Sequence, residues 1–295
     1  MKTLVYGSLN IDLIFSVDHI VAPGETISSS SLSKSAGGKG ANQAAALAKA
    51  GMETYMAGKI GKDGVFLLEL LESYGIHTEK VVQYEGPSGQ ALIQVDKNGQ
   101  NSIVLFGGGN GLVSREEIDQ VLSGFEKGDL VLLQNEIANT DFIMKKAKSV
   151  GLRIALNPSP WNERAKNLPL DLADILFVNE IEGAAMAELG SNIPMEKILE
   201  CLCAKFPETE IILTVGKEGA LYGRGKTRAK GEIIDVPVVD TTGAGDCFSG
   251  YFLACRAKGF SIQDSLATAC KASSITVSRK GAMESIPFRD EVEGG

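Results

Sequence analysis

The chain has 295 residues, 37 of them acidic and 29 basic, for a formal net charge of −8. That acid surplus argues against nucleic acid or an anionic membrane as the main partner, while 44% hydrophobic residues are enough for a sizeable core. Two histidines, His19 and His77, and the lack of any Cys-x-x-Cys pair exclude a His- or Cys-rich zinc centre.

From the N-terminus, Met1–Tyr6 runs into a strand pattern rather than the apolar stretch of a signal peptide. No apolar run approaches the roughly 20 residues needed to span a bilayer. Leu4–Ile14 reads as a strand interrupted at Gly7-Ser8 and Asn10, and Ala22-Pro23-Gly24-Glu25 as a turn. Thr26–Ser35 alternates in a way that suits an exposed sheet. Gly37-Gly38-Lys39-Gly40 opens a helix, Ala41–Ala50, ended by Gly51, in which so many Ala residues permit close backbone packing. Ser88–Val95 and Asn101–Phe106 flank an Asn98-Gly99 turn and predict a hairpin.

From Asp129 onward, short apolar strands alternate with helices. The strands are Asp129–Leu133, Arg153–Asn157, Ile175–Val178 and Glu210–Val215; the helices include Thr140–Val150, Glu180–Leu189 and Met195–Phe206. Asp246–Lys258 and Ser261–Arg279 read as two final helices. This alternation predicts an α/β fold: a doubly wound, mostly parallel sheet flanked by helices, with a small β-sheet beside it. Residues 1–295 read as a single domain. The five cysteines are an odd set without framework spacing, which points to reduced thiols and the cytoplasm. Cys201 and Cys203 lie two apart on a helix, on different faces, and read as ordinary helix residues.

The strongest local signal is Asp240-Thr241-Thr242-Gly243-Ala244-Gly245-Asp246. Its glycines follow an apolar pair, Val238-Val239, read as a strand end, and lead into a helix, where unpaired backbone N–H groups form an anion nest. Asp246 is there either a dipole partner or a base that takes a hydroxyl proton beside a phosphoryl group. The second signal is Gly37-Gly38-Lys39-Gly40-Ala41-Asn42, a Gly-rich helix entry with groups suited to gripping hydroxyls. It is not a dinucleotide fingerprint, because the third small residue and the buried strand before it are missing. Asp12, close behind Asn10, reads as a cap or as a ligand.

In this order and separation the two segments resemble the PfkB/ribokinase family of carbohydrate kinases. Gly7–Asp12, Pro23-Gly24-Glu25-Thr26, Leu156–Pro160, Asn179–Glu182 and Arg279–Ala282 resemble further family segments in register, and the likeness covers nearly the whole chain. The resemblance implies ATP-dependent phosphorylation of a sugar primary hydroxyl, D-ribose O5 first, with deoxyribose, fructose or a nucleoside as alternatives. A sugar- or nucleotide-binding protein without catalysis is the competing reading, disfavoured by the intact Asp246 segment.

Residue by residue, it implies Asp246 as catalytic base and Gly243, Ala244 and Gly245 as the anion hole. It implies sugar contacts from Asn10, Asp12, Gly38, Lys39, Gly40, Ala41, Asn42 and Glu136. Asn179 and Glu182 would organise Mg2+ and the ATP phosphates, and Thr214, Val215, Gly216, Lys217, Glu218 and Gly219 would meet the nucleotide. Cys270 stands where some relatives place a His near adenine. Asp240, Thr242, Thr276, Arg279, Gly281 and Ser285 would form loops around K+, mainly through carbonyls. A lid built from strands at about 13–35 and 88–106 would cover the sugar and join two chains as a homodimer, with no nucleic-acid or membrane partner.

Overall fold

The computed structural model describes residues 1–190 and 192–294. Among these residues the chain forms β1 (Thr3–Tyr6), β2 (Asn10–Ser16), β3 (Ser31–Gly37), α1 (Lys39–Lys49), β4 (Thr54–Gly61), α2 (Val65–Ser73) and β5 (His77–Tyr84). The hairpin β6 (Gly89–Val95) and β7 (Asn101–Phe106) follows, then α3 (Arg115–Leu122). Next come β8 (Leu130–Gln134), α4 (Thr140–Ser149), β9 (Arg153–Asn157), α5 (Glu163–Lys166), β10 (Ile175–Asn179), α6 (Glu180–Met186) and α7 (Met195–Lys205). The last elements are β11 (Glu210–Thr214), β12 (Ala220–Arg224), β13 (Thr227–Gly231), α8 (Ala244–Ala257), α9 (Ile262–Val277) and α10 (Arg289–Glu293).

Nine strands form one sheet in the order β13-β12-β11-β10-β9-β8-β1-β4-β5. All neighbours pair in parallel except at β12 and β13, which close the edge as an antiparallel hairpin. β1 is buried along its length, as the apolar run Leu4-Val5-Tyr6 requires of a strand covered on both faces. From β1 the chain steps outward to β4 and β5, then returns to β8 on the other side of β1. The carboxyl ends of β1 and β8 therefore flank the point where strand order reverses, the place where open α/β sheets present a crevice.

β3, β2, β6 and β7 form the second, smaller sheet. It is mixed: β2 and β6 run parallel, whereas β3 and β7 lie antiparallel to them. The expected hairpin is present, and the Asp96 carboxylate secures its turn by accepting from the N–H of Asn98 (2.8 Å) and of Gln100 (2.9 Å). Leu32, Leu92, Ile103, Val104, Leu105 and Phe106 leave apolar surface of this sheet exposed.

The structure differs from the sequence expectations in three places. Leu4–Ile14 is two strands in two sheets, because Gly7-Ser8-Leu9 carries the chain from one to the other. Residues 52–87, in which no element was expected, contain β4, α2 and β5, and β12–β13 were likewise not anticipated. Val238 and Val239 are no strand: they are 68% and 60% exposed on an extended connection to α8. Val277, at the end of α9, holds that connection by accepting from the N–H of Val239 and of Asp240.

The Ala-rich character of α1 is used where α1 meets α8. A side chain on Gly250 would begin 2.4 Å from Cβ of Ala46, so the two backbones touch there with no side chain between them. Asn42 and Gln43 meet Asp246 one turn earlier, and Lys258 Nζ reaches the carbonyl of Ala50 one turn or more later. The helices run side by side in one direction, which brings both of their N-termini to the crevice.

Candidate active site

At its N-terminus α1 is shaped by two close approaches. Gly38 precedes it at φ +94, a conformation that favours glycine, and a Cβ there would sit 2.8 Å from the carbonyl of Ser8. Ser8 answers the open helix end: its carbonyl accepts from Ala41 N (3.0 Å) and its hydroxyl from Gly40 N (3.2 Å). The same hydroxyl donates to Glu136, whose carboxylate also accepts from Lys39 N at 3.3 Å. Segments after β1 and β8 and the first turn of α1 are thereby tied together at the crevice.

At the facing end of α8, Gly243 adopts φ +76 and the helix begins at Ala244. Asp246 lies in the first turn and is only 8% exposed. Its Oδ2 accepts from Asn42 Nδ2 and its Oδ1 from Gln43 Nε2, each at 2.9 Å. Burial pushes the Asp246 carboxyl above the usual range, opposed by the charge of Lys39 and by these two hydrogen bonds. Burial likewise raises Glu136, against Lys39 and Ser8. For Lys39 itself burial favours the neutral amine, but the carboxylates of Asp246, Glu136 and Glu182 outweigh it and keep the ammonium charged. The result is one half-buried cation among three acids.

Lys39, Asn179, Glu182, Thr214 and the run Gly243–Asp246 line a single cavity of about 200 Å³. Asn157 and Ser159, from a segment singled out in the sequence, line it too. Asn179 and Glu182 form a capping box at the start of α6: Asn179 Oδ1 accepts from Glu182 N (2.8 Å) and Glu182 Oε2 from Asn179 N (3.5 Å). They therefore shape the helix end as well as facing the cavity. Asn10 and Asp12 lie on β2 above the crevice; Asn10 Oδ1 accepts from Asn110 Nδ2 at 2.7 Å. Asp12 is pushed up to about 7 by burial and by the charges of Glu136 and Glu284.

Other expected residues sit elsewhere. Gly216, Lys217 and Glu218 form an exposed turn that Val215 N closes onto the carbonyl of Gly219 at 2.9 Å. Cys270 is 1% exposed on α9 and packs against Gly231 and Leu266 in the core; burial pushes its thiol up to about 11. Asp240 knots two loops: Oδ1 accepts from Thr242 N (2.9 Å) and Thr242 Oγ1 (2.7 Å), and Oδ2 from Gly281 N (3.0 Å). Burial opposes the charge on Asp240, but these hydrogen bonds prevail and hold its carboxyl below the usual range. Arg279 is paired with Glu291 at 2.6 Å, while the hydroxyls of Thr276 and Ser285 donate to the carbonyls of Ala272 and Ala282. No group of three or more His, Cys, Asp or Glu among the described residues could hold a metal ion.

Ser8, Gln43, Asn110 and Gln134 belong to this assembly without having been assigned to it from the sequence. Two adjacent amides, Asn42-Gln43, in an otherwise Ala-filled helix were the available signal.

Comparison with known proteins gives a consistent result. The family model described as pfkB family carbohydrate kinase matches residues 2–289. A ribokinase of Staphylococcus aureus (strain COL) is 35% identical over 307 residues, covering 99% of this chain and 98% of the relative. A crystal structure of ribokinase from Cryptococcus neoformans in complex with ADP superposes with a TM-score of 0.85 at 37% identity, covering 99% of each chain. The structure of Arabidopsis thaliana ribokinase complexed with ribose and ATP gives 0.86 at 32% identity, with 99% of this chain and 97% of that one covered. No helix among the described residues is long and apolar enough to cross a membrane. With its fold, its crevice and its sequence in agreement over nearly the full length, the chain belongs to the pfkB family of carbohydrate kinases.

Proposed function

We propose that the chain transfers the γ-phosphoryl group of ATP to the primary hydroxyl of D-ribose, with Asp246 as general base. The observation that carries this is the buried Asp246 carboxylate, held by two amide donors in the first turn of α8. Similarity over the full length to ribokinases, one of them complexed with ribose and ATP, supports the substrate pair. The sugar would lie between β2 and the start of α1, against Asn10, Asp12, Gly38–Asn42 and Glu136. Asn42 Oδ1 is buried with no hydrogen-bond partner among the described residues, which suits it to accept from a sugar hydroxyl.

In the reaction, Asp246 takes the proton of the attacking hydroxyl as that oxygen bonds to the γ-phosphorus. The bond from the γ-phosphorus to the bridging oxygen breaks, and ADP leaves with the electron pair. The amides of Gly243 and Gly245 would face the developing charge, with Lys39 beside them, while that of Ala244 also meets the carbonyl of Thr241. No neighbour lies within 4 Å of the place a Gly245 Cβ would take, so that turn is open to a phosphoryl group.

The nucleotide would run from this turn past Thr214–Gly219 toward α9; Cys270, 1% exposed, would make no direct contact with it. Asn179 and Glu182 would hold Mg2+ through water; the long 3.5 Å bond between them leaves Glu182 with acceptor capacity toward the cavity. Bound Mg2+ supplies neutralising charge to the ATP phosphates. The side chains of Thr276, Arg279 and Ser285 are engaged by protein, so K+ would be held by carbonyls of the loops that Asp240, Thr242 and Gly281 join. The exposed apolar residues of the small sheet suit it to act as lid and homodimer face. Five cysteines with no disulfide accord with the cytoplasm.

The test is ADP release across a panel of sugars and nucleosides with MgATP. D-ribose is expected to give the highest kcat/KM, and Asp246→Asn to lower kcat by about 10³-fold or more while sugar binding persists. Turnover largely retained in Asp246→Asn would sink the base assignment. Silence with every acceptor would favour a binding protein.

A further inference from the structure

Gln43 and Gln134 are fully buried, each 0% exposed, although neither was expected at the site. Burying an amide is costly unless it is hydrogen-bonded, and α1 otherwise fills its inner face with Ala. Their contacts form one chain. Gln134 Nε2, at the carboxyl end of β8, donates to Gln43 Oε1 at 2.6 Å, and Gln43 Nε2 donates to Asp246 Oδ1 at 2.9 Å. Asn42 Nδ2 occupies the other carboxylate oxygen.

The direction of this chain follows from donor chemistry. An ionised carboxylate only accepts, so Gln43 must turn its NH₂ toward Asp246 and its oxygen away. That oxygen must then meet a donor, which fixes Gln134 as well. The far end of the chain, Gln134 Oε1, has no hydrogen-bond partner among the described residues and lies over Gly7, where a Cβ would come within 2.1 Å of it.

We propose that Gln134 and Gln43 are positioning residues, a two-amide relay that holds the Asp246 carboxylate in one orientation for proton abstraction. The proposal rests on Asp246 being the base. Gln43 acts directly on the carboxylate; Gln134 acts only through Gln43, by preventing its amide from flipping and presenting oxygen to oxygen. The relay also favours the ionised base, because a donor to a carboxylate stabilises its charge. The other groups around Asp246 are Lys39 and Asn42 of α1, which act on it, and Glu136 after β8 and Cys247 on α8, which feel its charge, with Glu182 of α6 acting on Lys39. None of these is changed by substituting the two glutamines.

The test uses Gln43→Met, Gln134→Met and the double variant, since Met keeps the length of Gln and removes the amide. With D-ribose and MgATP, Gln43→Met is expected to lower kcat about 10- to 100-fold. Sugar affinity, measured by calorimetry without nucleotide, should stay within about twofold. The acidic limb of the kcat/KM–pH profile should move up by about one pH unit, as losing one hydrogen bond to a charged group requires. Gln134→Met should shift the same limb in the same direction by less, and should add nothing in the double variant. A limb unmoved in both single variants, or independent effects that add, would overturn the relay. If Gln43→Met does not fold, Gln134→Met alone still decides, because it keeps both residues that donate to Asp246 and frees only the Gln43 amide to flip. An active Asp246→Asn enzyme would instead overturn the base reading, whereas an inactive one with unaffected glutamine variants overturns the relay alone.

Discussion

Gly250→Ala probes the contact on which the proposed catalytic geometry depends. The new Cβ would lie 2.4 Å from Cβ of Ala46 and 2.9 Å from both the carbonyl carbon of Ala46 and the N of Leu47, against ordinary contacts of 3.4–4 Å. Both sides are helix backbone or its first carbon, so no side chain can swing away, and α1 must recede by about 1 Å. Overpacking of this kind costs about 1–3 kcal/mol. Ala is the better helix former by about 1 kcal/mol, leaving a net loss of up to about 2 kcal/mol. The effect on turnover should be larger. Asn42 and Gln43 sit one turn before Ala46, and lengthening their 2.9 Å bonds to Asp246 by about 1 Å ends them as hydrogen bonds. A fall in kcat of about 10- to 100-fold is expected. Urea unfolding and steady-state ADP release with D-ribose measure the two effects. Gly245→Ala serves as a control for stability alone, since its Cβ meets nothing within 4 Å and should cost none. A Gly250→Ala enzyme with parental stability and parental kcat would refute the reasoning.

Two further outcomes follow from the site's electrostatics and loops. Asp12, pushed up to about 7 from an ordinary 3.8, keeps its proton in the folded chain over a range where the unfolded chain has lost it. Stability should therefore fall as pH rises through that range and level off above it. Asp12→Asn should remove the slope and be more stable than the parent near pH 8, by on the order of a few kcal/mol, while binding sugar more weakly. Parallel stability–pH curves from urea unfolding would contradict this. Asp240→Ala deletes the acceptor shared by Thr242 and Gly281, so it should cost about 1–3 kcal/mol and abolish activation by K+. Rates in potassium, sodium and choline chlorides decide it, and an undiminished potassium response refutes the role given to the loops.

Much of this architecture was legible in the chain because it is written locally. Alternating strands around Asn98-Gly99 and short apolar strands spaced by helices each carry their own periodicity, and the glycines before Asp246 and Lys39 mark helix entries. What escaped was set by distant partners. Val238-Val239 has the composition of a strand, but pairing depends on an adjacent edge, and among the described residues only the carbonyl of Val277 accepts from its backbone. Gln43 looks like any polar residue on a helix until α8 is laid beside it. The break at Gly7-Ser8 was visible as an interruption, yet nothing nearby in sequence says that the strand after it joins a different sheet. Asn179 and Glu182 were read as nucleotide-site residues, and the capping box they also form was within reach of the spacing alone.

The parallel seating of α1 against α8 has a bearing on biogenesis. Asn42 and Gln43 are made early and wait for an acceptor 204 and 203 residues later in the chain. A ribosome adding about 5–20 residues per second takes some 10–40 seconds to bridge that interval. Until then the face of α1 that α8 covers in the folded chain, with its Ala residues and two amides, lacks that partner. If Asp246 is the base proposed above, phosphorylation can begin only when synthesis is nearly finished, because a chain stopped before α8 has the start of α1 but not that carboxylate.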